Sequence, residues 1–315
     1  MADMVALAGL DTGRLLREGE WFSRYEYAAH WWRRPLVIAT VPTGGKSSDY
    51  FQQENRWKCD SINSPSPYRT WHTKQFLTTL LSALWSLKCT KVNNSVLRSC
   101  IGLRKYIASQ FRPTAAKAIY DHYKAERVLD FSSGWGDRLV GFMASESRHY
   151  IGVDPSESVH EGYRSYLREF QRTDATTDLR HGTAETQMYE PNSVDLVFTS
   201  PPYFNIEHYD GSSSQSYRKH PKLDAWLEAF LFEAIRRAWG ALRVGGHMVI
   251  NISDVYSNHR IHRICDPMNA FISTLRGATY EGAIGYTMHK RPNSGALKGR
   301  IGTFAEPMWV WGKCK

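Results

Sequence analysis

Three short clusters in this 315-residue chain combine residue types that could do chemistry. In VDLVFTSPPYF (194–204) an apolar run delivers Thr199, Ser200, Pro201, Pro202 and Tyr203. The two prolines lack backbone donors and fix φ, so the carbonyls before and between them can face outward as acceptors. With the Ser200 oxygen, they suit an exocyclic NH2 that offers two donors, as on cytosine or adenine. Tyr203 supplies a flat face for stacking a base removed from its duplex. The bland alternative is a Pro-Pro turn after a strand; SPSPY (64–68) has similar letters, follows no apolar run and reads as a loop. A second cluster, VLDFSSGWGDRL (128–139), runs a strand into Gly134-x-Gly136 and a helix, where a cofactor can approach the backbone. It lacks the third glycine of a dinucleotide fingerprint, and GxG alone is common. In the third, YIGVDPSE (150–157), Asp154 closes the next strand about 20 residues on, a spacing that can serve ribose hydroxyls or simply cap a helix. Taken together, the second and third clusters point to an adenosine-containing cofactor.

These residues need a scaffold that gathers strand ends on one edge. From Val128 the chain alternates short apolar runs with helical stretches. Strands are expected at 128–131, 150–154, 179–182, 194–200, 245–253, 279–288 and 306–312, with helices at 160–170 and 224–242. Alternation implies a parallel sheet with right-handed crossovers. No long helix separates the last two strands, so the expectation is an α/β fold of seven strands: five parallel and two in an antiparallel hairpin at an edge. Before this region, 74–88 has helical apolar spacing, and a helix is expected to open at Pro113, with Thr114 helping to cap it.

FSSGWG followed by Asp154 and then TSPPY resembles the S-adenosylmethionine-dependent amino-methyltransferases of DNA, which modify N4 of cytosine or N6 of adenine. The resemblance covers about residues 106–315 and implies a class I methyltransferase (Rossmann-like) fold. It implies catalysis by Ser200, Pro201, Pro202 and Tyr203. It also implies cofactor contacts from Phe111 and Thr114 in FRPTAA, from Asp130, Ser132, Gly134, Gly136 and Asp137 around the glycine loop, and from Asp154, Pro155, Glu185 and Thr199. In this family the glycine loop binds the methionine end and the Asp154-like acid binds ribose; Glu185 best matches the acid near adenine, while Asp137 stands where many relatives carry Ser or Thr. Ser200 favours cytosine N4 by the same resemblance, because adenine enzymes more often carry Asp or Asn there. FAEPMWVWGK (304–313) is similar to the family's final strand. The implied reaction is in-line displacement, with Ser200 and the Pro201 carbonyl localising the lone pair of the amine. No cysteine follows a proline, as carbon-5 cytosine enzymes would require.

The composition bounds the partners. The formal charge is +9, divided as +7 over residues 1–105, −3 over 106–289 and +5 over 290–315. A polyanionic partner, DNA with RNA as an alternative, is therefore expected at the two basic ends. Residues 1–105 hold six of the eleven Trp and read as a basic, aromatic-rich helical or irregular appendage, a candidate for target recognition. Arg33 and Arg34 lie there within an aromatic run whose Trp residues can equally form a core of their own. Three loops are further candidates: 204–223, with Glu207, Gln215 and Tyr217 facing inward; 255–264, with His259, Arg260, His262 and Arg263; and 289–302, with Lys298 and Arg300. Five scattered cysteines without CxxC or finger spacing suggest free thiols, a reducing compartment and no metal site. No apolar run approaches the roughly 20 residues of a membrane span, and the N-terminal apolar run has no basic lead, so a soluble cytoplasmic protein is expected. The rival readings are an adenine-N6 or RNA amino-methyltransferase, a methyltransferase-like binding module without activity, and a small-molecule methyltransferase.

Overall fold

The computed structural model describes residues 1–22, 36–62, 64–86, 91–104, 108–257, 260–287 and 303–315. Its strands are, in chain order, β1 (Leu16–Glu18), β2 (Trp21–Phe22), β3 (Leu36–Ile38), β4 (Asp60–Ser61), β5 (Arg127–Asp130), β6 (His149–Asp154), β7 (Thr176–His181), β8 (Val194–Thr199), β9 (Glu207–His208), β10 (Leu242–Asn251), β11 (Val255–Ser257), β12 (Arg260–His262), β13 (Ala278–Thr287) and β14 (Thr303–Lys313). The helices used below are α1 (Ala2–Ala8), α2 (Gly45–Lys58), α3 (Pro67–His72), α4 (Lys74–Ser86), α5 (Asn94–Arg104), α6 (Pro113–Tyr123), α7 (Asp137–Met143) and α8 (Glu157–Phe170).

The main sheet runs β1-β3-β13-β14-β10-β8-β5-β6-β7, and β2 pairs the start of β14. β10, β8, β5, β6 and β7 are mutually parallel, and β14 is antiparallel to both β10 and β13. Five parallel strands with a C-terminal antiparallel hairpin make this the class I methyltransferase arrangement. The hairpin is not at an edge, however. β3 pairs parallel to β13 (Ile284 opposite Leu36), and β1 closes that side antiparallel to β3. Strands of three residues carry no readable periodicity, which is why the sequence does not announce them.

Each central strand buries both faces, as crossover helices require. In β8, Leu196 and Phe198 face a core built with α6, α7 and α8, while Val197 faces one built with the 227–241 helical stretch. That stretch contains a π-helical turn, Leu227–Phe232, followed by the helix Glu233–Ala241. α8 turns Val159, Tyr163 and Tyr166 inward at helical spacing. A satellite cluster of Leu80, Leu84, Cys100 and Ile101 joins α4 to α5.

The N-terminal segment is bolted to this scaffold. The Asp3 carboxylate accepts from the Gly44 and Ser47 amides, each at 3.0 Å, capping the start of α2. α2 then lies along α8, with Gln52 Nε2 donating to the Val159 carbonyl at 2.8 Å and Phe51 edge-on to Tyr166. Among the described residues no helix is long and apolar enough to cross a membrane.

Candidate active site

The carboxyl ends of β5, β6, β7 and β8 open onto one edge of the sheet. After β5 the chain turns through Ser132, Gly134 and Trp135, all partly exposed, into α7. Gly134 has φ +56°, and a Cβ there would meet nothing closer than 4.0 Å, so its outer side is open. Gly136 has φ +77°, and a Cβ there would lie 3.0 Å from the Tyr163 ring, so this turn needs glycine twice over. The Tyr163 hydroxyl donates to the Gly134 carbonyl and fixes the loop from below.

Asp154, at the end of β6, accepts from the Gly134 amide at 3.0 Å and from the Ser156 amide at 2.9 Å. Each oxygen receives one backbone N–H and retains acceptor capacity. Burial pushes this carboxyl up to about 7; the two amide bonds oppose that shift, and nearby Asp210 adds to it. Pro155 beside it is partly exposed, its carbonyl 2.9 Å from His181 Nε2. Glu185 follows β7. Its Oε1 pairs with Lys219 Nζ at 2.9 Å, and its Oε2 is buried without a hydrogen-bond partner.

Several residues expected to touch a cofactor are instead embedded beneath the site. Asp130 is fully buried and accepts from Arg138 Nε at 2.7 Å, Arg138 Nη2 at 3.2 Å, the Tyr150 hydroxyl at 2.7 Å, the Thr199 hydroxyl at 2.8 Å and the Ser132 amide at 3.4 Å. Thr199 is thereby a tether between β8 and β5, its side chain turned away from the opening. Thr114 does not cap α6; its hydroxyl donates to the Val41 carbonyl at 3.0 Å in a closed interior. Asp137 is buried against the N-terminal segment, accepting from Ser48 and, at 2.9 Å, from Gln110 Nε2. Burial raises its carboxyl to about 7, with those two bonds opposing. Phe111 remains partly exposed, stacked on Tyr286 at 4.9 Å and with the Arg138 guanidinium 5.4 Å from its ring centroid.

Ser200, Pro202 and Tyr203 are partly exposed just past β8, and Pro201 is buried. The Tyr203 hydroxyl reaches the Asn251 carbonyl at 3.4 Å, and burial, followed by the neighbouring Glu306 charge, pushes the phenol well above its ordinary range. Its ring therefore packs into the sheet edge as well as bordering the opening.

The segment after the tetrapeptide folds back over this edge. Tyr209 meets Trp135 of the glycine turn edge-on at 5.6 Å. Asp210 accepts from the Ser212 amide and Gln215 Nε2, both at 2.8 Å; burial works against ionisation there, and these hydrogen bonds outweigh it, holding the carboxyl below its usual range. Gln215 is buried, and Glu207 sits in β9, which pairs with β4. The N-terminal segment thus buttresses the loop beside the Ser200–Tyr203 tetrapeptide. Tyr217, expected to contact nucleic acid, is partly exposed and stacks on His208 at 4.8 Å. The 255–264 segment is a β11–β12 hairpin rather than a plain loop, with Arg260 exposed on it. Arg33, Arg34, His259, Lys298 and Arg300 lie outside the described residues.

Residues that the sequence reading passed over include Arg138, Lys219, Asp210, Asn251 and Glu306. A lone acid in the apolar strand EPMWVW was the one visible signal for Glu306. Among the described residues, no group of three or more His, Cys, Asp or Glu is placed to hold a metal ion.

No protein-family model matches the sequence, and no curated relative matches it. Solved structures with a similar chain path include a putative S-adenosyl-L-methionine-dependent methyltransferase from Methanococcus maripaludis, 12% identical, covering 64% of this chain and 85% of that one at a TM-score of 0.41. They include an rRNA methylase from Streptococcus thermophilus, 16% identical, covering 66% and 100% at 0.40. TrmN from Thermus thermophilus is 14% identical and covers 64% and 48% at 0.41. Likeness at this level does not assign chemistry, which rests on the residues themselves.

Proposed function

We propose that this chain transfers a methyl group from S-adenosylmethionine to the exocyclic amine of a base in DNA, with cytosine N4 the preferred position. One observation carries the reading: Ser200-Pro201-Pro202-Tyr203 emerges from β8 on the same sheet edge as the Gly134 turn after β5 and Asp154 after β6. That juxtaposition puts an amine-accepting motif beside a ribose-reading one.

The residues present fit the cofactor. The open side of Gly134 leaves room for close approach, Asp154 keeps free acceptor positions for ribose hydroxyls, and Glu185 Oε2 is a buried acceptor awaiting a donor such as the adenine amine. Ser132 and Pro155 border the same opening, and Phe111 with Arg138 stands at its flank. When bound, S-adenosylmethionine supplies an electrophilic sulfonium methyl. The protein's part is to hold the amine. Ser200 and the Pro201 carbonyl accept its two hydrogens and favour a pyramidal nitrogen with a localised lone pair. Tyr209, Asp210 and Lys219 draw the following segment over the site and limit water. The basic flanks, including Arg33, Arg34, Lys298 and Arg300, are the proposed phosphate contacts.

Nucleoside mass spectrometry on DNA and RNA from a host expressing the wild type or Ser200→Ala tests this. N4-methylcytosine in DNA, lost in the variant, is expected. N6-methyladenine in DNA would correct the base, whereas modification confined to RNA, or none at all, would overturn the DNA assignment.

A further inference from the structure

From Ser61 to Tyr120 the sequence holds nine Lys and Arg and no Asp or Glu. The first part of that stretch folds as α3, α4 and α5, the last two joined by the buried cluster of Leu80, Leu84, Cys100 and Ile101. Lys74, Lys91 and Arg98 lie exposed on the outside. With them stand rings that a core would ordinarily take: Trp85 is 87% exposed, Trp71 49% and Tyr68 48%. They are not scattered singly. Helical spacing lines Lys74, Thr78, Leu81 and Trp85 along one exposed stripe of α4. On α3 the same spacing sets Tyr68 beside Trp71 and His72. The Tyr68 and His72 rings are 4.4 Å apart, and Lys58 Nζ stands 5.4 Å from the Tyr68 centroid.

Backbone pairing couples this surface to the Ser200–Tyr203 segment. The Tyr203 carbonyl accepts from the Ile206 amide at 3.3 Å, and the Ile206 carbonyl accepts from the Ile62 amide at 3.0 Å. Beside them Ser61 of β4 pairs with Glu207 of β9. Asp60 accepts from the Ser66 amide at 2.7 Å and from Arg69 Nη1 at 3.2 Å, which locks the start of α3 onto β4. Pro67 follows Ile62 by five residues, a reach of at most about 18 Å.

Resting on the amine-methylation reading, we propose that α3 and the outer stripe of α4 bind an unpaired nucleic-acid strand, taking the nucleotides that flank the target base. The acid-free charge draws a polyanion, and the rings select its form. In a duplex the base faces stack on one another and only edges and phosphates are presented; an unpaired strand offers its faces to Trp and Tyr. The preferred substrate is therefore a single strand or an opened stretch, whose target base arrives already unstacked.

The test measures binding of the full chain to a fluorescein-labelled oligonucleotide, single-stranded or annealed to its complement, by anisotropy over a range of salt. Nucleoside mass spectrometry follows the same oligonucleotides after incubation with S-adenosylmethionine. Wild type should favour the single strand. Trp71→Ala and Trp85→Ala should each weaken that binding about tenfold, and Trp71→Phe should keep most of it. Lys74→Gln should lower the slope of log affinity against log salt by about 0.7. These side chains face solvent, so melting temperature and S-adenosylmethionine affinity should stay unchanged. Single-strand affinity unchanged in both alanine variants, or tighter binding of the duplex, would overturn the track even where methylation persists. Self-association seen by sedimentation and lost in Trp85→Ala would give the face to a second copy of the chain and overturn it as well. Strand binding that needs both tryptophans, in a protein that methylates no nucleic acid, would uphold the track and overturn the amine-methylation reading.

Discussion

Replacing Asp130 with Asn should unhinge the site by unfolding its foundation. Arg138 is buried, with Asp130 its carboxylate partner at 2.7 Å, so the substitution leaves a guanidinium charge inside the sheet without compensation. Breaking one side of a buried pair costs about 3–5 kcal/mol. The new NH2 replaces one carboxylate oxygen, so it faces either the Arg138 Nε–H and Tyr150 hydroxyl or the Arg138 Nη2–H and Thr199 hydroxyl, all of which donate to Asp130 in the native protein. With a urea dependence of about 2 kcal/mol per M, the unfolding midpoint should fall by roughly 2 M. Equilibrium urea unfolding followed by tryptophan fluorescence reads this directly. Adding Arg138→Met to the variant should recover the ion-pair share, because a buried pair replaced as a unit is often near neutral. A midpoint drop below about 0.5 M for Asp130→Asn would refute the assignment of Asp130 as the anchor beneath β5 and β8.

Two further outcomes follow from the same framework. The native Asp137 carboxyl titrates at about 7 against an ordinary 3.8, so folding holds a proton that the unfolded chain releases. Its contribution to stability is full below about pH 4 and is lost as pH rises through 7. Asp137→Asn keeps the acceptor for Ser48 and Gln110, so it should match wild type in melting temperature at pH 4 and exceed it at pH 8; coincident profiles would contradict this. Lys219→Ala removes the 2.9 Å tie to Glu185, a partly exposed pair worth about 1 kcal/mol. Hydrogen exchange of backbone amides in 207–219 should quicken about fivefold, and unchanged exchange would show that this tie does not hold the segment down.

The legible part of this molecule is the part governed by period and punctuation. β5, β6, β8, β10, β13 and β14 fall within three residues of the positions expected from apolar runs, because fully buried strands have to be written in Val, Ile, Leu and aromatic residues. Gly134 and Gly136 were readable as a turn, since both sit at positive φ. What could not be read was direction. Thr114, Thr199 and Asp130 stand in motif positions, yet their side chains point into the protein, and that is decided by partners 69 to 73 residues away at Asp130 and Val41. The Asp137–Ser48 bond and the β3–β13 pairing are longer-range still, and neither leaves a local trace.

The pairing of β3 with β13 and of β2 with β14 also sets an order of assembly. Leu36 meets Ile284, 248 residues later, and Trp21 meets Thr303. On the ribosome, the parallel strands β5 to β8 can collapse with their helices while these partners are still unmade. β2 and the outer side of β3 must then wait until the β13–β14 hairpin arrives, a delay that such distant contacts impose on folding. The sheet closes on its β3 side only after that hairpin is made, whereas the β4–β9 buttress beside the Ser200–Tyr203 tetrapeptide needs nothing beyond His208.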